Sequence, residues 1–300
     1  MPNNKSLYVI FLVLFGNIFA ALMATSVKFL SGDLNPIIIC FYRCLMGLIL
    51  MFPFITINNF AALKSNNIKL QFSRSIINIA SMICWFSAIG MMHLEKATAL
   101  GFTTPLFTTI LAVLILREVI RLHRITALII GFLGVLIIIK PGYVPFEIGT
   151  LLMLIASFSF SFVLIIVKKL SAIDSSQTIV FYNLFFMTPV FFILSILFWQ
   201  TINLNQLFIF IFMGAAGIIS HLCLSQALKL GDTTFVMPLQ FTKLIWASII
   251  GLLLFSEIPD FWTWIGGIFV FASVIYITYR ETFKKRGTEK TVSVDQAIIN

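Results

Sequence analysis

The stretch ATALGFTTPLFTTILAVLILRE, residues Ala97–Glu118, is an apolar run with small and hydroxylated residues along one face, and it has a second copy in the chain. The copy, VMPLQFTKLIWASIIGLLLFSE, covers residues Val236–Glu257. At an offset of 139 residues Thr103 aligns with Thr242, and the final glutamates of the two stretches also align. The chain therefore contains an internal repeat.

Helical spacing places the small and polar residues of each stretch on one stripe. The stripe of the first stretch consists of Gly101, Thr104, Thr108 and Ala112. Its counterpart in the second stretch consists of Gln240, Lys243, Ala247 and Gly251. We expect both stripes to face away from lipid and toward a shared polar space.

A second pair of motifs extends the repeat. Lys28 precedes Tyr42 by fourteen residues, and Lys168 precedes Tyr182 by the same distance, an offset of 140. The two offsets differ by one residue, so the chain divides into two similar halves. We expect a first repeat at 7–140, a second repeat at 147–280, and a polar cytoplasmic tail at 281–300.

Composition indicates an all-α integral membrane protein. Hydrophobic residues make up 60% of the chain and charged residues 10%, which excludes a soluble globular domain. A membrane-spanning helix needs about 20 apolar residues. Ten runs meet this need: Leu7–Val27, Ile37–Ile57, Ser75–Met92, Ala97–Leu116, His123–Ile139, Ile148–Val167, Thr178–Phe198, Leu207–Leu228, Thr234–Phe255 and Phe261–Tyr279. Five spans per repeat is an odd number, so we predict two inverted five-helix repeats, an arrangement typical of secondary transporters.

Basic residues are distributed unequally between the two sides of the predicted membrane. With the N-terminus in the cytoplasm, fifteen Lys and Arg, among them Arg74, fall on the cytoplasmic side, whereas Lys96 and Lys140 fall on the other. This positive-inside bias accounts for the net charge of +9 without nucleic acid as a partner. We predict that both termini are cytoplasmic and that the lipid bilayer is the surrounding partner.

Several motifs resemble those of EamA-type permeases in the drug/metabolite transporter superfamily. They are Phe41-Tyr42-Arg43, Pro105 through Arg117-Glu118, Gly131 with Gly134, and Pro238-Leu239 through Ser256-Glu257. The family commonly has glycine before each terminal glutamate, where this chain has Arg117 and Ser256. The resemblance implies a permease of a bacterial inner membrane that moves small metabolites such as amino acids, nucleosides or S-adenosylmethionine.

Charged residues inside the predicted spans suggest the chemistry of the substrate. Lys243 lies nine residues into its span, roughly 13 Å deep, and Arg43 six residues into its own, roughly 9 Å deep. All eleven acidic residues fall in loops, span ends or the tail. Either backbone carbonyls and water stabilise Lys243, or a substrate carboxylate or phosphate binds it. We favour a substrate with an anionic group.

Further candidate binding residues lie near the polar stripes or in the repeat motifs. Aromatic side chains can stack on planar substrate groups, and hydroxyl, amide and imidazole groups can bond to polar ones. The complete set of predicted substrate-binding residues is Lys243, Arg43, Tyr42, Gln240, Thr104, Thr108, Tyr182, Trp85, Trp246 and His221. We expect Glu118 and Glu257 to cap or anchor helices rather than to bind substrate.

Other function classes are less consistent with the sequence. An enzyme is not expected, because we find no HExxH or GxSxG motif and no paired acids within the spans. Cys40 and Cys44 share a helix face, but no further ligand completes a metal site, so neither metal nor cofactor is predicted. Small multidrug resistance transporters resemble this layout and use an intramembrane glutamate for cationic-drug/proton exchange. The spans of this chain contain none, which disfavours such an antiporter. A passive channel or scaffold is a further alternative. Substrate identity, direction, coupling ion and oligomeric state stay open.

Overall fold

The computed structural model describes residues 2–57, 63–92, 94–101, 103–118, 120–139 and 147–255, together with isolated positions between 261 and 279. Up to residue 255 the structure describes eleven helices. They are α1 (Pro2–Leu30), α2 (Pro36–Ile57), α3 (Ile68–Met91), α4 (Leu94–Gly101), α5 (Thr103–Leu116), α6 (Leu122–Ile139), α7 (Ile148–Leu170), α8 (Ser176–Ile196), α9 (Leu204–Leu230), α10 (Thr233–Leu239) and α11 (Thr242–Phe255).

The described part of the chain is a multi-pass helical membrane protein by the length and composition of its helices. Seven segments are long and apolar enough to cross a bilayer, the last formed by α10 and α11 together, and two shorter apolar helices accompany them. The predicted tenth span, Phe261–Tyr279, is described only at isolated positions, and the tail at 281–300 lies outside the described residues. The count of ten spans therefore stays a prediction.

Helix α3 begins seven residues earlier than the predicted span Ser75–Met92. Asn67 caps it by accepting a hydrogen bond from the Leu70 backbone N–H at 3.0 Å. Arg74, which directly precedes the predicted span, consequently lies inside the helix and is only 2% exposed. The polar residues around Lys69 lowered the local hydropathy, although Arg74 itself is buried against α8.

The second repeated stretch is not a single continuous helix. In the second stretch α10 ends at Leu239 and α11 begins at Thr242, with a tight turn in which the Gln240 N–H bonds to the Met237 carbonyl at 3.0 Å. Pro238 lacks a backbone N–H, which weakens the helix just before this break. In the first stretch α4 and α5 lie on either side of residue 102, which is outside the described residues.

Side chains from the first half of the chain support the break between α10 and α11. Asn17 of α1 donates to the Leu239 carbonyl at 3.1 Å and to the Thr242 hydroxyl at 2.7 Å. Gly131 of α6 faces the ring of Phe241, and a Cβ atom at position 131 would lie 2.5 Å from a ring carbon. Glycine at 131 is thus required for the close approach of α6 to the break.

Several helix–helix contacts between the two halves have an equivalent contact in which the roles of the halves are reversed. Helix α1 packs along α9 and α3 packs along α7, so the first helix of each half contacts the third helix of the other. Helix α1 also contacts α11, as α7 contacts α5. The equivalence extends to hydrogen bonds, because the Lys28 ammonium binds the Met92 carbonyl and the Lys168 ammonium binds the Gly231 carbonyl.

The loops at the two ends of the helix bundle differ in how many hydrogen bonds hold them. Asp174, in the loop after α7, is 4% exposed and accepts hydrogen bonds from Ser65, Asn66 and Gln71 at 2.7–2.9 Å. Asp33, in the loop after α1, is exposed and meets only the Gln206 amide, at 3.4 Å, among the described residues. The Asp174 end is therefore held closed by a buried carboxylate with three donors. At the other end the Asp33 carboxylate accepts one long hydrogen bond from a described residue.

Candidate functional site

A central cavity of about 1220 Å³, including the part that opens to the outside, lies between helices of both halves. Apolar side chains form most of its wall, with aromatic rings from Trp85, Phe86 and Phe160. Its polar and charged lining residues are Arg43, Asn78, Ser81, Thr98, Thr104, Ser157, Ser220, His221, Gln240 and Lys243. No Asp or Glu among the described residues lines it. The fixed charges of the described wall are therefore positive.

Lys243 lies in the first turn of α11, directly after the break. Its backbone N–H bonds to the Gln240 carbonyl at 3.1 Å, so the geometry of the break determines where the lysine side chain begins. The half-buried ammonium makes no hydrogen bond or ion pair with any residue that the structure describes. A charged group in a largely apolar wall is stabilised by an anionic ligand or by water, and Lys243 is open to both.

Arg43 projects from α2 into the same cavity and is 4% exposed. Among the described residues its guanidinium forms hydrogen bonds only to sulfur atoms, Cys44 Sγ and Met23 Sδ, both at 3.9 Å. Sulfur is a weak acceptor, so most of the donor capacity of the guanidinium is unused. Gly217 of α9 leaves the space that Arg43 occupies, since a Cβ atom there would lie 3.0 Å from Arg43 Nη2.

Four other predicted residues also line the cavity. Trp85 of α3 packs beside Phe86 with ring centroids 5.2 Å apart, and His221 of α9 meets the ring of Phe160 edge-on at 6.4 Å. Gln240 is buried at the break, and its carbonyl oxygen has no hydrogen-bond partner among the described residues. Thr104 of α5 completes this group. The cavity thus offers cations, an aromatic surface and an unused acceptor.

The remaining four predicted residues lie outside the cavity: Tyr42, Thr108, Tyr182 and Trp246. Tyr42 stacks on Phe210 with centroids 4.9 Å apart, and the Tyr182 hydroxyl donates to the Leu63 carbonyl at 2.8 Å. These contacts join helices and loops of the two halves. The repeated tyrosines are thus packing residues in this conformation.

Sequence reasoning missed the contribution of α3 to the cavity. Asn78 and Ser81 line it next to Trp85, and Asn78 donates to the Asn183 carbonyl oxygen at 3.1 Å. Arg74, Asn78, Ser81 and Trp85 follow the helical spacing i, i+4, i+7, i+11. The sequence contains this polar stripe, but the predicted span begins at Ser75 and therefore leaves out its first residue, Arg74.

Glu118 caps a helix, as predicted. Its carboxylate accepts the backbone N–H groups of Thr233 and Thr234 at the start of α10, both at 3.0 Å. Arg124 adds a salt bridge to Asp232 at 3.0 Å, at the same helix end. Glu118 therefore fixes the N-terminus of the broken span and does not line the cavity.

Family comparison identifies the architecture. The model of the EamA-like transporter family matches residues 7–140 and, a second time, residues 147–279. The chain belongs to this family. The EamA family consists of transporters, and the two matches correspond to its repeated unit.

Curated relatives in the EamA family are small-metabolite transporters. The chain is 27% identical over 254 residues to the S-adenosylmethionine uptake transporter of Rickettsia prowazekii, covering 85% of this chain and 86% of the relative. It is 29% identical over 246 residues to the riboflavin transporter of Vibrio cholerae, covering 80% and 82%. It is 23% identical over 263 residues to the pseudopaline exporter CntI of Pseudomonas aeruginosa, covering 86% and 91%.

The crystal structure of another protein has the same fold. This chain superposes on it with a TM-score of 0.74 at 13% identity, covering 91% of this chain and 96% of the other. The chain is accordingly an EamA-fold membrane protein of the small-metabolite transporter class.

Proposed function

We propose that this EamA-family protein is a secondary transporter that moves a small metabolite with an anionic group across the bacterial inner membrane by alternating access. The observation that supports this is the central cavity, which both halves line and whose described wall contains Lys243 and Arg43 without a carboxylate. Inverted-repeat transporters bind substrate at such an interface between repeats. Both termini are proposed to face the cytoplasm.

The cavity fits a metabolite that combines a carboxylate with a planar ring. Lys243 and Arg43 provide charge-assisted donors for the carboxylate. Trp85 and Phe160 provide ring faces and edges for stacking, and the unpartnered Gln240 oxygen accepts a hydrogen bond from an amino group. S-adenosylmethionine, named for the Rickettsia relative, has an amino acid end and an adenine ring. It is the first substrate to test, followed by free amino acids, nucleosides and riboflavin.

Two alternative functions, a cationic-drug/proton antiporter and a passive channel, differ from this proposal in the chemistry of the site and in transport kinetics. A cationic-drug/proton antiporter needs a carboxylate in its binding site, and the described cavity wall lacks one. A passive channel does not show counterflow, in which unlabelled solute inside vesicles drives uptake of labelled solute. Saturable counterflow in proteoliposomes is expected for the carrier, and imposed proton or sodium gradients identify any coupling ion.

The first test of the proposed site is Lys243→Met, which keeps the side-chain length and removes the charge. We expect a severe fall in transport and a loss of about 1.5–3 kcal/mol in binding of a carboxylate substrate, because one charge-assisted hydrogen bond is removed. Folding is expected to survive, since the ammonium has no described partner to leave unpaired. Lys243→Arg is expected to retain partial activity because the charge remains while the geometry changes.

Trp246→Phe serves as the matched control for these variants. Trp246 lies on the same helix as Lys243 but does not line the cavity, so transport should stay close to wild type. Parent-rate transport with unchanged apparent affinity in Lys243→Met would show that Lys243 is not part of an anion site.

A further inference from the structure

A second, much smaller pocket adjoins the central cavity on the side of α8. Arg43 and His221 line both spaces, whereas Arg74 of α3 and Asn183 of α8 line only the small one. By the same measure the small pocket is about 260 Å³, against about 1220 Å³ for the central cavity. Val180, Leu184 and Ile218 form its apolar wall. The pocket therefore brings two guanidinium groups to a space much smaller than the central cavity.

Both arginines have donors that the described protein does not use. Arg74 donates from Nη1 to the Ile179 carbonyl at 2.7 Å, while its Nε is buried without a hydrogen-bond partner among the described residues. Arg43 forms hydrogen bonds, among the same residues, only to the two sulfur atoms of Cys44 and Met23. Buried guanidinium groups in proteins normally find oxygen acceptors for most of their five N–H groups.

The charge of these arginines is also uncompensated within the described structure. No Asp or Glu from that part of the chain lines either space. The Asp174 carboxylate, close to the start of α3, is bonded to Gln71 at 2.9 Å and not to Arg74. Two like charges buried without a counter-charge are strongly unfavourable, so an anion between them would be stabilising.

Asn183 is oriented as a donor toward such an anion. Its side-chain oxygen accepts a hydrogen bond from Asn78 at 3.1 Å, which assigns the oxygen to that side. Its amide nitrogen makes no hydrogen bond to a described residue and is left as a further N–H donor at the pocket. His221, the remaining polar group of the lining, can donate from one ring nitrogen as well.

We propose that the pocket between Arg43 and Arg74 binds one halide-sized monovalent anion, separately from the transported metabolite. Guanidinium and amide N–H groups are the donors that such an ion needs, and the small size of the pocket favours a compact ion. The ion would neutralise part of the buried positive charge next to the central cavity and hold α2, α3 and α8 together.

Thermal unfolding of the purified full chain in detergent tests this site without any substrate. Sodium chloride or bromide is exchanged for sodium gluconate at constant ionic strength, because gluconate is too large for the pocket. We expect the Tm to rise with halide concentration and to level off. Arg74→Gln should raise the half-saturating halide concentration by about ten-fold or more, through the loss of a charge-assisted donor. Lys243→Met, which removes a cation of the central cavity only, should keep the wild-type halide response.

Val180→Leu provides a second variant that fills the pocket and leaves every polar group in place, and it should also abolish the halide response. Val180→Leu tests the anion site even if Arg74→Gln fails to fold. Crystals soaked in bromide should show an anomalous peak between Arg43 and Arg74. Equal Tm values in chloride and gluconate, a wild-type response in both pocket variants, or an empty pocket at saturating bromide would overturn the proposal. Because no metabolite is present, these results do not depend on the proposed transport function.

Discussion

Asn17 is the residue whose replacement tests most directly how the broken span is held. The change Asn17→Leu keeps the side chain close to its original size and removes both hydrogen bonds to the break, at Leu239 and Thr242. The Leu239 carbonyl keeps its bond from the Thr242 hydroxyl at 2.9 Å, so it is not left unpaired. The cost is therefore expected to reflect two lost interhelical bonds and no orphaned acceptor.

The expected loss of unfolding free energy is about 1–2 kcal/mol. Side-chain hydrogen bonds between membrane helices contribute on average about 0.6 kcal/mol each and at most about 1.7 kcal/mol. Thr242→Val removes the bond with Asn17 from the other side, together with the Thr242 bond to the Leu239 carbonyl, and should also destabilise the protein. Binding of substrate should weaken as well, because Lys243 is positioned by the same break.

The measurement is reversible unfolding in mixed micelles of a mild detergent and SDS. Thr25→Val on the same helix is the control, since the Thr25 hydroxyl bonds only within α1, to the Ala21 carbonyl at 2.9 Å. That change should be nearly neutral. An Asn17→Leu protein within about 0.5 kcal/mol of wild type would refute the view that α1 supports the break.

Two further predictions concern the backbone and the orientation. Arg117, the residue directly after α5, has φ 53°, a left-handed conformation that favours glycine. Arg117→Gly should therefore raise the unfolding free energy by about 1 kcal/mol in the same assay, whereas Arg117→Ala, which keeps a Cβ atom, should give no such gain. Lys64 and Thr201 lie near opposite ends of α8, so in a background without native cysteines Thr201→Cys should react with a membrane-impermeant maleimide on intact cells and Lys64→Cys should not. Strong labelling at position 64 would reverse the proposed orientation.

The helical membrane fold followed from the sequence because hydropathy and the internal repeat are strong, local signals. The break at Gln240 was missed because apolar residues continue on both sides of it, and only Pro238 indicates that the helix is weakened there. The start of α3 was missed for the opposite reason. Polar residues such as Gln71 lowered the hydropathy, yet they are buried against the loop that contains Asp174.

The candidate site was predictable only in part from the polar stripes. Lys243, Gln240 and Thr104 lie on the predicted stripes and line the cavity, whereas Thr108 lies on the same stripe as Thr104 but outside the cavity. How far the cavity extends along a helix depends on packing, which the stripe does not indicate. Tyr42 was chosen because its motif is repeated, but a repeated aromatic residue can equally be kept for packing, as its stacking on Phe210 shows. The small pocket could not be inferred from the sequence, because it depends on how α2, α3, α8 and α9 meet.

The unequal numbers of hydrogen bonds at the two ends of the bundle affect the free energy of opening in the proposed transport cycle. In a carrier built from two equivalent halves, the opposite conformation would tighten the contacts of Asp33 and release those of Asp174. Asp174 now has Ser65, Asn66 and Gln71 as donors, whereas Asp33 has Gln206 as its side-chain donor among the described residues. Releasing two of these hydrogen bonds costs about 1–3 kcal/mol, which corresponds to a population ratio of roughly 5–150. The Asp174 end should thus open only when the tightened contacts of Asp33 and the bound substrate together supply this free energy.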